Sequence, residues 1–310
     1  MSSQKHWDDL DDADEIRVIP RAHREFSYVS LRWRHPRVMP GIGECLLYPL
    51  SDGPGLGLLV LFPPVLWIFS LPVFDFIAVM QPLTKGQWAL GLLVMPIFLP
   101  LLFGFAMMFG YVLLFFGHVL VASAVGENDH PRWPEWHPSE ISEGIGRWAW
   151  AVLFGAAVIV LPAFGCWKYF GKANWLSGIV MGSLFLVGTG MAQMALAAAL
   201  VHETIIAANP FTVGVAIIRI GWRYAIPSVV GSVALASVGL GIYGLLFRLP
   251  KMWMEAVSLW GFWVLLLYLG MVVMRMLGLT YHAHAVDLVW FRRRPRWAST
   301  RLDTQIYANS

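Results

Sequence analysis

The chain has 310 residues, 58% of them hydrophobic and only 13% charged, with a mean hydropathy of +0.63. A soluble domain averages about 25% charged residues, so this composition excludes a water-soluble globular protein and makes lipid the solvent of most of the chain. The net charge of +3 is small, and its distribution carries more information than its size.

Residues 1–45 read as a cytoplasmic N-terminal tail. It opens with the acidic stretch "DDLDDADE" at 8–15 and continues into an interfacial stretch, Arg21 to Pro36, where Phe26, Tyr28, Leu31 and Trp33 are interspersed with arginines. Its first 45 residues hold no apolar core of a signal peptide, so no cleavable signal is expected.

Residues 46–290 read as a transmembrane domain. Six runs lack Asp, Glu, Lys and Arg: Gly53 to Phe74, Gly86 to Gly126, Trp148 to Trp167, Ala173 to His202, Tyr224 to Phe247 and Ala256 to Met274. A bilayer crossing takes roughly 20 apolar residues. Six spans are therefore expected, at about 54–80, 88–124, 148–168, 175–201, 224–247 and 256–280.

The run from Gly86 to Gly126 would extend about 60 Å as a helix, twice the hydrocarbon thickness. Charge decides how often it crosses, because short cytoplasmic segments collect Lys and Arg. With six spans and both ends inside, 17 of the 22 basic residues are cytoplasmic, and Lys85, Lys168, Lys172, Arg248 and Lys251 are outside. With seven spans the two sides are equal. The expectation is six spans, N-in and C-in, with a long second helix kinked at Pro96 and Pro100 or partly interfacial.

Two cytoplasmic connections share a form. "WHPSEISEGIGRWAW" and "ANPFTVGVAIIRIGWRYAI" each place a cap and a proline before about three turns ending in glycine, arginine and aromatics. Proline suits the first helical turn, Asn209 is a good cap, and Glu140 favours a helix start. Both segments are expected as short interfacial helices feeding spans three and five.

Within the spans, Gly178 with Gly182, Ala195 with Ala199, and Ser228 with Ser232 and Ala236 recur at four-residue spacing. Such faces let helices approach closely in lipid. The sixteen tryptophans, among them Trp88, Trp167, Trp175, Trp253 and Trp290, are expected mainly at the interfaces. Cys45 and Cys166 fall on opposite sides of the membrane and cannot pair within one chain.

Residues 291–310 read as a basic cytoplasmic C-terminal tail, whose Arg292, Arg293, Arg294 and Arg296 are candidates for contact with anionic lipid, at about 1 kcal/mol per charge near the surface. Beside membrane spans, such clusters point to lipid rather than to nucleic acid.

Candidate sites lie at the cytoplasmic ends. His118, His202 with Glu203, and His282 with His284 and Asp287 end spans two, four and six, and these residue types suit zinc. His284 and Asp287, with His118, His202 and Glu203, are thus candidate metal ligands, although His282 and His284 point about 200° apart on a helix. "HETII" has Ile206 where a zinc-protease motif needs its second histidine. No phosphate-binding loop, nucleophile elbow or cysteine pair is present, and "GPGLG" at 53–57 has neither the strand nor the spacing of a nucleotide loop. The aromatic and acidic loop "RWPEW" offers Trp133, Glu135 and Trp136 as a docking surface for a partner.

Four stretches carry a resemblance: "YPLSDGPGLG" from Tyr48, "GYVLLFFGHVL" from Gly110, "PEW" at Pro134 to Trp136, and "NPFTVGVAIIRIGWRY" from Asn209. Across residues 45–290 the chain resembles an uncharacterised family of bacterial and archaeal polytopic membrane proteins, a domain of unknown function, and departs from its pattern in having His137 where an acidic cap usually follows "PEW". The resemblance implies a membrane bundle and no particular activity.

The expectation is an all-α, six-span inner-membrane protein without enzymatic chemistry or cofactor. It would serve as a scaffold or accessory subunit that contacts membrane lipids and a membrane-protein partner or further copies of itself. The alternatives are a transporter or channel for a small molecule or lipid, supported by the proline-broken first two spans and glycine-rich fifth, and a membrane enzyme using a cytoplasmic histidine metal site.

Overall fold

The computed structural model describes residues 41–51, 53–80, 88–125, 133–170, 175–202, 204–247, 252–284 and 288. Among them the chain is all helical. Eight α-helices run in order: α1 (Ile42–Leu47), α2 (Gly53–Met80), α3 (Trp88–Val125), α4 (Pro138–Phe170), α5 (Trp175–Val201), α6 (Pro210–Ile220), α7 (Ala225–Phe247) and α8 (Met252–Ala283). Short 3-10 turns follow α1, α5 and α6. Six helices are long and apolar enough to cross a membrane.

The long uncharged run forms one helix of 38 residues, α3, with Pro96 and Pro100 inside it. Within it Leu99–Ala124 has the length and composition of a span, so a single continuous helix accounts for the described part of the run. A proline inside a helix loses one backbone hydrogen bond, yet the surrounding leucines and phenylalanines have no better state in lipid than a helix.

The first of the two expected interfacial helices is not a separate element. Residues from Pro138 onward continue without a break through Trp148 into α4, a helix of 33 residues. The segment "PSEISEGIGRW" has no residue that forces a stop, and Arg147 bonds Glu143 one turn back at 3.1 Å, which supports continuity. The second segment does form its own helix. Asn209 Oδ1 accepts from Thr212 N at 2.8 Å to cap α6, Pro210 takes its first turn, and Gly221 ends it with φ +67°. Only glycine adopts that conformation readily, so α6 must break there and α7 restarts after one 3-10 turn.

Five helices pack in a closed ring, α3 to α4 to α5 to α7 to α8 and back to α3, and α2 fills the groove between α3 and α8. In lipid this packing relies on close backbone approach rather than on hydrophobic expulsion from water. Gly155 of α4 abuts Ala192 and the Gly188 carbonyl of α5, Gly270 of α8 abuts the Phe116 ring, and Gly278 of α8 abuts the Leu120 carbonyl of α3. Ala195 and Ala199, Ser228 and Ser232 are buried as their spacing suggests. Gly178 and Gly182 are not packed, with nothing within 4 Å of where a Cβ would stand, and Ala236 is exposed.

Several tryptophans pin helices together instead of floating at the interface. Trp67 Nε1 donates to Ala256 O at 2.8 Å, Trp263 Nε1 to Ser70 Oγ at 2.8 Å, and Trp148 Nε1 to Leu113 O at 3.1 Å. Their ring bodies bury apolar area while the N–H reaches a polar atom on another helix.

Candidate functional site

The "RWPEW" loop splits into an inward and an outward half. Trp133 inserts between α2 and α3, stacked on Phe62 at 5.6 Å and Tyr111 at 6.4 Å and tilted against Phe115 at 5.2 Å between ring centroids. Tyr111 donates its hydroxyl to Pro134 O at 2.8 Å. Trp133 therefore anchors the loop to the bundle. Beyond it the chain turns outward: Trp136 is 48% exposed while one face of its ring lies 5.1 Å from Tyr111. The Glu135 side chain is 87% exposed and approaches His137 Nε2 at 3.3 Å. A tryptophan and a carboxylate thus project from a loop whose backbone is fixed from beneath.

A second polar centre lies where α1 meets α8. Arg275 is buried, although the charge count places it with the cytoplasmic basic residues. Helix α8 continues to Ala283, leaving Arg275 two turns inside the helix. Its guanidinium donates to Ser123 Oγ of α3 at 3.1 Å, and Ser123 donates in turn to Val119 O at 2.6 Å. The guanidinium also stands 4.6 Å from the Tyr48 ring centroid, within cation–π range. Beside it Cys45 is buried against Val272, Met276 and Leu279. Burial holds the Cys45 thiol above its usual pKa; Arg275 opposes that shift and Glu44 adds to it. Tyr268 closes the far side by donating to Leu46 O at 2.7 Å. α1 is thus packed against α8, although its first residues fall within the segment the sequence reads as tail.

Two of the histidines are held at backbone carbonyls. His282 Nδ1 lies 3.1 Å from Ala124 O on α3, and His284 Nδ1 lies 3.0 Å from Thr280 O on its own helix; both rings are buried. His118 on α3 and His202 at the end of α5 are partly buried. Among the described residues no group of three or more His, Cys, Asp or Glu side chains could hold a metal ion. Glu203, Asp287, Arg292, Arg293, Arg294 and Arg296 lie outside the described residues.

Sequence reasoning missed Arg275 and Ser123. The signal was present: the expected sixth span, 256–280, already runs past Arg275, with the apolar Met276, Leu277 and Leu279 after it and no further Asp, Glu, Lys or Arg before Asp287.

No family model, curated protein or solved structure matches the chain.

Proposed function

We propose that this chain is a non-enzymatic multi-pass protein of a prokaryotic cytoplasmic membrane, with both termini inside, that acts as a scaffold or accessory subunit. In this reading the ridge formed by Glu135 and Trp136 docks a membrane-protein partner. The observation that carries it is the division of the loop: Trp133 and the Tyr111–Pro134 bond hold the backbone, leaving Trp136 and Glu135 outward on a fixed support. Binding energy concentrates in rigid aromatic and charged anchors, because little conformational freedom is lost on docking.

The orientation rests on the excess of Lys and Arg in the segments assigned to the cytoplasm. On the same side α6 exposes Phe211 (81%) and neighbouring Trp222 (78%) beside the exposed Arg219 and Arg223. Apolar rings with adjacent arginines suit a helix lying in the headgroup region, and Trp150 Nε1 donating to Ala208 O at 3.2 Å ties its approach to α4. The arginines at 292, 293, 294 and 296 add attraction to anionic lipid.

Purification of the tagged full-length protein in nanodiscs, with mass spectrometry of everything retained, tests this reading. The expected result is one membrane protein at stoichiometric level, lost in the Glu135→Ala, Trp136→Ala double variant while abundance is kept. Recovery of the chain without any protein partner overturns it.

A further inference from the structure

Hydropathy alone would put Leu99–Ala124 of α3 in the hydrocarbon, with Tyr111 at its middle. The surroundings of Tyr111 contradict this. Its hydroxyl donates to Pro134 O at 2.8 Å, and the next residue, Glu135, has a side chain 87% exposed. Gly110 abuts Ile141 and Ile145 of α4; between them lies the exposed Glu143, and the exposed Glu140 precedes them. A charged side chain at the bilayer centre costs about 3 kcal/mol or more, and three carboxylates would gather at that depth. Water must therefore reach the level of Tyr111.

Two further tyrosines mark the same level. Tyr224 donates its hydroxyl to Gly190 O of α5 at 2.6 Å and follows the exposed Arg223. Tyr268 of α8 donates to Leu46 O at 2.7 Å in α1, which carries the exposed Glu44. Along the bundle Phe116 meets Gly270, Ser123 meets Gly278 and Gly117 meets Leu200. At 1.5 Å per residue, these pairings bring Tyr111, Gly190 and Tyr268 within about one turn of a common level. Tyrosine, apolar in its ring and polar at its tip, suits a border between lipid and water.

Packing changes at that level too. Of the described side chains from Pro96 to Phe109 none is buried, whereas Tyr111–Ala124 is buried except at His118. On α5 none of the described side chains from Trp175 to Val187 is buried, whereas Gln193–Val201 is buried throughout. On α8 Met271–His284 is buried except at Val273 and Ala283. Apolar side chains face lipid without penalty, but on the water side protein must cover them.

We propose that phospholipid headgroups meet the protein along a belt through Tyr111, Gly190 and Tyr268, on the side where α3 and α8 end. Trp88–Gly110 of α3 and Met252–Tyr268 of α8 then cross the membrane, as about 34 and 26 Å of helix against a hydrocarbon core of roughly 30 Å. Beyond the belt, about four turns of each helix form a packed layer on the water side, about 20 Å deep. Arg275, His282 and His284 fall in that layer, so none has to be held at hydrocarbon depth. α1 and α6 lie along the belt, where their exposed Leu46, Leu47 and Phe211, and Trp222 beside them, enter the lipid surface. Arg219 and Arg223 supply charge for anionic headgroups. The belt also sets the Glu135–Trp136 ridge at headgroup level, but it holds whether or not a partner docks there.

The test places nitroxide labels at single exposed positions of the full-length Cys166→Ser protein in phospholipid nanodiscs. Collision with oxygen and with a water-soluble nickel chelate is measured by power saturation. Cys45 is buried, and Cys166→Ser without a further substitution sets the background. The belt puts Leu99 and Trp260 near the bilayer centre. The oxygen-to-nickel ratio should therefore fall from Leu99→Cys through Phe103→Cys to Ala106→Cys, and from Trp260→Cys to Leu265→Cys, and be lowest at Ser142→Cys. A ratio that is level or rises along either series, as crossings of Leu99–Ala124 or Ala256–Ala283 require, overturns the proposal. So does a Ser142→Cys label shielded from nickel. The two series lie on different helices, so where a variant of one does not assemble the other decides.

Discussion

Arg275 and Ser123 join α8 to α3 at 3.1 Å while Tyr48 covers the guanidinium at 4.6 Å. One buried cation therefore links the segment that precedes the first span to two helices far along the chain. Replacing Arg275 with Lys keeps the charge but loses the planar fork that can bond Ser123 and lie over Tyr48 together. We expect Arg275→Lys to cost about 1–2 kcal/mol, read as a lower melting temperature in a fixed detergent. An unchanged temperature would remove the latch from the account.

The Cys45 thiol has a pKa raised chiefly by burial. The native state therefore holds this proton more tightly than the unfolded state does. Its contribution to stability is intact below the unfolded thiol's pKa and declines as pH rises through the folded value. In a Cys166→Ser background, alkylation of the native protein at pH 8 to 9 should lag well behind that of the unfolded chain. Equal rates would show an accessible thiolate.

Glycines that look alike in sequence should respond differently to alanine. At Gly278 a Cβ meets the Leu120 carbonyl and lies 2.5 Å from Ser123 Cβ, so Gly278→Ala must push α8 away from α3. It should destabilise by about 2 kcal/mol or more. Gly178→Ala and Gly182→Ala meet nothing within 4 Å and should be neutral or stabilising by up to about 1 kcal/mol through helix propensity. Thermal unfolding of the three variants in one detergent gives the comparison.

Trp133 and Trp136 should likewise separate. Trp133→Ala removes a ring that packs on Phe62, Tyr111 and Phe115, and should cost about 3 kcal/mol. Trp136→Ala, from a half-exposed position, should cost under about 1 kcal/mol and reduce recovery of the partner. Thermal stability and partner yield measured on the same preparations distinguish the two roles.

Much of the architecture was legible because lipid leaves the backbone few choices. A run without charge must be helical, so the six runs gave the six long helices and the run from Gly86 gave one. Local chemistry also read through at Asn209, Pro210 and Gly221, where cap, first turn and break follow from single residues. What depends on long-range contact did not. The contacts of α1 and the turn after it are one case: Cys45 packs on Val272 and Tyr48 on Arg275, each more than 200 positions away. The glycine spacing at 178 and 182 matched the pattern used elsewhere in the ring for helix contact, yet a pattern cannot say which face meets a helix. Similarly, Trp133 and Trp136 read as equals until the fold set one beneath the loop and the other above it.

The docking ridge is tested most directly by placing a photo-crosslinking amino acid at His137, beside Glu135 and Trp136, and irradiating intact membranes. A second protein carries the probe at Gly178, where nothing of the chain lies within 4 Å of a Cβ, as a control. The account predicts a discrete protein adduct from position 137 that disappears when Trp136→Ala is added, and none from position 178. Lipid adducts without a protein from position 137, or the same adduct from both positions, would contradict it.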